Sequence, residues 1–275
     1  MLCIFDAMHS LLAASLLLPS LSFTFPLNVI ENRASCYSVN GVGPFTNHVI
    51  YDFSTLKSLP LPDGLYMSQD PPIAASGQAK YARQSLSSNV DISNGFLEIK
   101  FPGGQNPSNN TLTYGEVHTA ANVLYGSVRT YATLSKEVGT CQGMFFYKSD
   151  TQEIDIEFLS DPKSTAQNGV PALHYTNQHA AGQPTTTNFS APPSGYDSSV
   201  VEYRTDWTKD YTAFYVNGVL QQKYTQNVPT IAGTWLWNNW ANGDPTWSVG
   251  PPVHDSVMRI QKIEMYFNST ASASC

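Results

Sequence analysis

The sequence predicts an all-β chain folded as a jelly-roll β-sandwich, and three observations carry that prediction. Runs in which apolar and polar residues alternate, each bounded by Gly, Pro, Asn or Asp, recur from about Phe96 to Phe267, with no amphipathic stretch of helical period between them. Eighteen Gly and 18 Pro, with sparse Lys, Glu and Leu beyond the first segment, favour strands and turns over helices. Asn217-Gly218 supplies the positive φ angles of a type I′ turn between two strand-like runs. Strands in this number need two packed sheets to bury their apolar faces.

In order, the predicted strands begin with Phe96 to Phe101, where Leu97, Ile99 and Phe101 alternate with Glu98 and Lys100. Leu124 to Leu134, Gly143 to Lys148 and Glu153 to Leu159 follow, separated by Gly- and Asp-containing turns. Val200 to Trp207 sets Val201, Tyr203, Thr205 and Trp207 against Glu202, Arg204 and Asp206. Tyr211 to Val216 and Val219 to Tyr224 are the antiparallel pair joined by Asn217-Gly218, and Trp235 to Trp240 and Met258 to Phe267 complete the set. No repeat, low-complexity tract or linker divides the chain. Residues 23–275 are therefore expected to form a single domain, acting as a monomer, behind a signal peptide of residues 1–22.

That signal rests on the apolar run Leu11 to Leu21, too short to span a bilayer, and on Ser20 and Ser22 bracketing Leu21 as a signal peptidase accepts. Its leading residues are atypical, with Asp6 and His9 but no Lys or Arg. Sequons at Asn109, Asn188 and Asn268 fit an extracellular, secreted or wall-associated protein. Cys36, Cys141 and Cys275 would permit one disulfide and leave one thiol, without choosing the pair. No membrane span or lipid-anchor signal is read. The formal net charge of -7, with charged residues only 13% of the chain, leaves no basic patch for nucleic acid, and a 41% hydrophobic content excludes disorder.

The chemistry concentrates in Glu153-Ile154-Asp155-Ile156-Glu157-Phe158-Leu159. In a strand, Glu153, Asp155 and Glu157 share one face, while Ile154, Ile156 and Phe158 anchor the other in a core, so the acids should line a cleft. The α-carbons of Glu153 and Glu157 would lie about 13 Å apart. Side chains leaning inward bring their carboxyls to about 5 Å, the spacing of a retaining glycosidase. Crowding should hold a proton on one acid while a neighbour stays ionised. A solvated acidic face or a divalent-cation site would show the same alternation.

Tyr125-Gly126-Ser127-Val128, Gly139 to Tyr147 and the acidic stretch through Ser160 together resemble the centre of glycoside hydrolase family 16. Tyr203 to Trp207, Phe214 to Val219 and Trp237 to Gly243 follow in the family's order and at about its spacing. The resemblance covers roughly Tyr125 to Phe267; ahead of it, only Tyr51-Asp52-Phe53 is similar to fungal members. It implies a sandwich of the concanavalin A-like lectin/glucanase type acting on β-glucan, with Glu153 as nucleophile, Asp155 as its partner and Glu157 as acid/base. By the same resemblance, Trp207 and Trp240 would flank sugar subsites and Asn238 would share the face of Trp240.

Tyr175 lies in a matching Tyr-Thr-Asn, yet Leu173 stands where lichenases carry a sugar-binding Asn. Tyr131 occupies the place of a lichenase Arg, with Arg129 two residues earlier on the same face as a substitute. No organic cofactor is expected. Family members often hold a structural calcium, although no loop in this sequence marks such a site. His174, His179 and His254 read as loop or surface residues. The implied activity is a retaining endo-β-1,3(4)-glucanase. A fungal-type wall transglycosylase using the same acids, and a non-catalytic lectin, are the alternatives.

Overall fold

The computed structural model describes residues 36–39, 41–180 and 182–270. The proposed signal segment and Cys275 lie outside them. Among the described residues there are 18 strands and one 3-10 turn, and no helix long and apolar enough to cross a membrane. The strands before Phe96 are β1 (Tyr37–Val39), β2 (Val42–Phe45), β3 (Asn47–Asp52), β4 (Leu65–Met67), β5 (Ala82–Ser85) and β6 (Val90–Ser93). They continue as β7 (Phe96–Phe101), β8 (Thr111–Thr119), β9 (Gly126–Thr133), β10 (Cys141–Ser149), β11 (Gln152–Leu159) and β12 (Ala172–Asn177). The last six are β13 (Thr186–Ser190), β14 (Val201–Trp207), β15 (Thr212–Val216), β16 (Val219–Tyr224), β17 (Thr234–Trp240) and β18 (Ser256–Phe267).

Two eight-stranded sheets make the sandwich. The front sheet runs β13-β12-β11-β10-β17-β8-β4, with β5 added in parallel to β8. The back sheet runs β16-β15-β14-β9-β18-β7-β6, with β3 paired to β18. Between them lies one apolar core in which Ile154, Ile156, Phe146 and Trp235 of the front sheet meet Val128, Tyr203, Phe214 and Ile263 of the back sheet. Trp237 crosses the layer, its indole N–H donating to Thr130 Oγ1 at 2.8 Å. At the β15–β16 hairpin, Asn217 and Gly218 take φ of 47° and 76°, as the turn chemistry requires.

The strands expected from Phe96 onward are all present within a few residues, and β8, β12 and β13 are additions. The alternation of β8 is interrupted by Gly115, where a side chain would strike the carbonyl of Asn89 and the backbone of Lys100. The six strands before Phe96 are short, three to six residues each, and several run along sheet edges, too brief for alternation to mark them. Cys36 is disulfide-bonded and Cys141 is a free, buried thiol, so Cys141 is not the partner of Cys36.

Candidate active site

Strand β11 lies inside the front sheet, between β10 and β12. Its apolar residues Ile154, Ile156 and Phe158 are locked in the core, which forces Glu153, Asp155 and Glu157 onto the opposite face. Register sets their neighbours: Tyr147, Phe145 and Gly143 of β10 stand across from Glu153, Asp155 and Glu157 respectively. On the other flank, Thr176 faces Asp155 and His174 faces Glu157. The row opens into a cleft of about 340 Å³ whose walls include Arg83, Gln178, Trp240 and Trp247. A larger recess of about 540 Å³ lies elsewhere, beside Met67, Asn89 and Lys100, but it has neither an aromatic wall nor a crowded row of acids.

The three acids titrate as a set. Asp155 is 1% exposed and accepts a hydrogen bond from Gln178 Nε2 at 3.1 Å. Burial, then the charges of Glu153 and Glu157, hold its pKa well above the usual carboxylate range, and it shares a hydrogen bond with Glu153. Glu153 is pushed up to about 8, first by burial and then by the Glu157 charge, with the Asp155 hydrogen bond pulling the other way. The directions agree with a proton residing on Asp155 and donated to Glu153. Glu157 is also raised by burial, opposed by hydrogen bonds from Cys141 and Trp247 and by the Arg83 charge. Crowding of three carboxyls on one strand face, with Asp155 fully buried and Glu153 and Glu157 half-buried, thus favours protonated forms more than in isolated, exposed acids.

Beyond the triad, Glu116 on β8 accepts from Ser68 Oγ at 2.8 Å and from Asn238 Nδ2 at 3.0 Å, and burial raises its pKa. Asn238 Oδ1 is buried without a hydrogen-bond partner, and it lies so close to Gly143 that a side chain at 143 would displace it. Trp240 follows Asn238 on the same face by parity, and the Arg83 guanidinium lies 4.1 Å from its ring centroid. Among the described residues no group of three or more His, Cys, Asp or Glu is arranged to hold a metal ion.

Of the residues the sequence singled out, Glu153, Asp155, Glu157, Asn238 and Trp240 are brought together on this face. Trp207 is not. It is fully buried, with its indole N–H on the Pro229 carbonyl at 3.0 Å and its ring packed on Phe146 at 4.3 Å, because parity on β14 points it into the core. Tyr175 is also a core residue, its hydroxyl against Ser190 Oγ at 2.9 Å. Arg129 and Tyr131 face outward from the back sheet, across the sandwich from the acids. There Arg129 stacks on Tyr266 at 5.6 Å, and Tyr131 donates to Glu202 at 3.0 Å beneath the Lys262 ammonium. These four corrections share one cause: family position does not specify which sheet face a side chain occupies.

His174 is corrected too. It is buried on β12 against Trp247 and Phe189, and burial pulls its pKa down to about 4. Arg83, Glu116, Gln178, Trp247 and Cys141 were not foreseen as site residues. Glu116 was within reach, because it shares parity with Tyr114 and His118 once Gly115 is accepted inside a strand. Arg83 reaches the cleft through the parallel pairing of β5 with β8, which no local pattern announces.

Comparison with known proteins agrees with this geometry. The model of glycosyl hydrolases family 16 matches residues 78–248. A beta-glucanase of Paenibacillus polymyxa is 31% identical over 168 residues, covering 58% of this chain and 65% of that protein. A beta-glucanase of Acetivibrio thermocellus is 28% identical over 166 residues, covering 56% of this chain and 45% of its own length. The chain thus spans less than two thirds of these relatives. Among solved structures, the Bacillus licheniformis beta-glucanase superposes with a TM-score of 0.60 at 20% identity, covering 78% of this chain and 100% of that one. The catalytic domain of an endo-1,3-beta-glucanase (laminarinase) from Thermotoga petrophila gives 0.62 at 15% identity, covering 81% and 97%.

Proposed function

The chain belongs to glycosyl hydrolases family 16, and from that premise we propose that it is a retaining endo-β-1,3(4)-glucanase. The observation that carries the reading is the row Glu153, Asp155, Glu157 on one strand face, inside a cleft walled by Trp240 and Trp247. Glu153 attacks the anomeric carbon while Glu157 protonates the departing glycosidic oxygen. The deprotonated Glu157 then activates a water that releases the glycosyl-enzyme with net retention. Assignment of Glu153 as the nucleophile is supported by its hydrogen bond with Asp155, which fixes the attacking carboxyl. Protonation of the other two acids is favoured by the burial that raises them. Trp240 presents an aromatic face to sugar C–H groups, and Glu116 with Asn238 supplies fixed polar partners for hydroxyls.

An extracellular location is supported by the apolar first segment and by the disulfide at Cys36, which needs an oxidising compartment. The deciding experiment is digestion of laminarin and barley β-glucan with the anomer of the first product followed by NMR, in the presence of a labelled oligosaccharide acceptor. Release of reducing ends in the β configuration, with the acceptor unextended, is expected. An α first product refutes retention, and a lengthened labelled product shows transglycosylation instead.

A further inference from the structure

Cys141 has no part in the reaction as described, yet its thiol reaches into it. The residue opens β10 with its side chain on the carboxylate face, two positions before Gly143, which stands across from Glu157. The absence of a side chain at Gly143 leaves the thiol a diagonal path, and Cys141 Sγ donates to Glu157 Oε1 at 3.0 Å. The Trp247 indole N–H approaches the same oxygen at 3.4 Å. Among the described residues no hydrogen bond reaches Oε2.

From this convergence we infer that Cys141 is a positioning residue for the acid/base: its S–H holds Oε1 of Glu157, so that Oε2 is the atom that carries and transfers the proton. The inference rests on the proposed role of Glu157. In the protonated acid Oε1 is the carbonyl oxygen, and in the carboxylate it is one of two equivalent oxygens. In both states it accepts from Cys141, so the side chain keeps one orientation through the cycle. A thiol suits the position because it packs as a small apolar group while donating weakly. A stronger donor would favour the carboxylate and work against the burial that keeps the acid protonated.

The other groups facing Glu157 are few. Its own strand brings Glu153 and Asp155, β12 brings His174 directly opposite, and β5 brings Arg83. With His174 neutral above about pH 4, Arg83 is the cation that acts on Glu157 through the working range.

The test uses Cys141→Ala and Cys141→Ser in the full chain, on β-glucan and on the dinitrophenyl glycoside of a β-glucan disaccharide, whose leaving group departs without a proton. On glucan, Cys141→Ala is expected to lower kcat about tenfold at an unchanged KM. It should also move the alkaline limb of kcat/KM up by about half to one pH unit, since a donor to the anion is lost. Cys141→Ser should restore kcat and return the limb to its native place or below. On the activated glycoside, glycosylation by Cys141→Ala should match the native enzyme. Equal losses on both substrates, or an unmoved limb in Cys141→Ala, overturn the inference and leave Cys141 as packing. Glu157→Ala in parallel separates the two levels. Native activity of that variant on glucan removes the acid/base role and the inference with it, whereas loss on glucan that spares the activated glycoside leaves Cys141 to be judged on its own variants.

Discussion

Replacing Glu153 by Gln should abolish glucan cleavage and, at the same time, stabilise the fold at alkaline but not at acidic pH. Burial and the charge of Glu157 push the Glu153 carboxyl up to about 8, against an ordinary value of 4.5. Between those limits the folded chain holds, on the hydrogen-bonded Glu153–Asp155 pair, a proton that the unfolded chain has released. Stability therefore falls as pH rises, with a slope of up to about 1.4 kcal/mol per pH unit. Over the whole window this gives an upper bound of about 5 kcal/mol. Glu157 is itself raised and shares the repulsion, so removing one charge recovers less, about 2 kcal/mol at pH 8. Gln retains an oxygen to accept from Asp155 and has nearly the volume of the protonated acid, so at pH 4.5 variant and native protein should unfold together. Urea unfolding at both pH values, followed by tryptophan fluorescence, measures the difference. A gap between native and variant that is the same at pH 4.5 and pH 8 would refute the burial argument for the triad.

Two further outcomes follow from where the tryptophans and sequons lie. Trp207→Ala should cost about 3–5 kcal/mol of stability by opening the core beside Phe146, while Trp240→Ala should unfold near the native midpoint and raise KM about tenfold; thermal melts and glucan kinetics on both variants check this, and equal melts would contradict the core placement. When the chain is expressed through a glycosylating secretory host, peptide mapping should find glycans at the exposed Asn109 and Asn188 and none at Asn268. The Asn268 side chain is buried, accepts from Thr46 N at 2.8 Å and donates to the Pro44 carbonyl at 3.2 Å.

The triad was legible because a single strand carries it. Alternation along Glu153 to Leu159 fixes both the core face and the acidic face, and no distant partner is needed to assign them. The long inner strands were legible for the same reason. Arg83 and Trp247 were not, since each arrives from a separate segment and only the folded sheet places it opposite the acids. Trp207 fails in the reverse sense. Its strand alternates clearly, but alternation separates two faces without saying which is the core, and the family position suggested the wrong one. The neighbouring Phe214, Tyr203 and Val201 are also apolar and belong to the same core, which would have been the better guide.

The same parity explains why the cleft can hold two buried acids and two half-buried ones without losing the fold. Glu116, Glu153, Asp155 and Glu157 all project from the outer face of the front sheet, while the inner face of the same strands supplies Val117, Ile154, Ile156 and Phe158 to the core. Each charged position is therefore bracketed by anchors that bury apolar area at roughly 1.5–3 kcal/mol per side chain. Those anchors offset the desolvation that raises the acids. A strand with polar residues on both faces would relax to give each carboxyl water, and the acids would return to ordinary values. Held by its core face, β11 cannot move away from β10 and β12, so the carboxyls of the row stay raised. The elevated pKa of the catalytic row is thus a property of the hydrophobic half of its own strand, and softening that half, for instance at Ile156, should lower the alkaline limb of activity along with the stability.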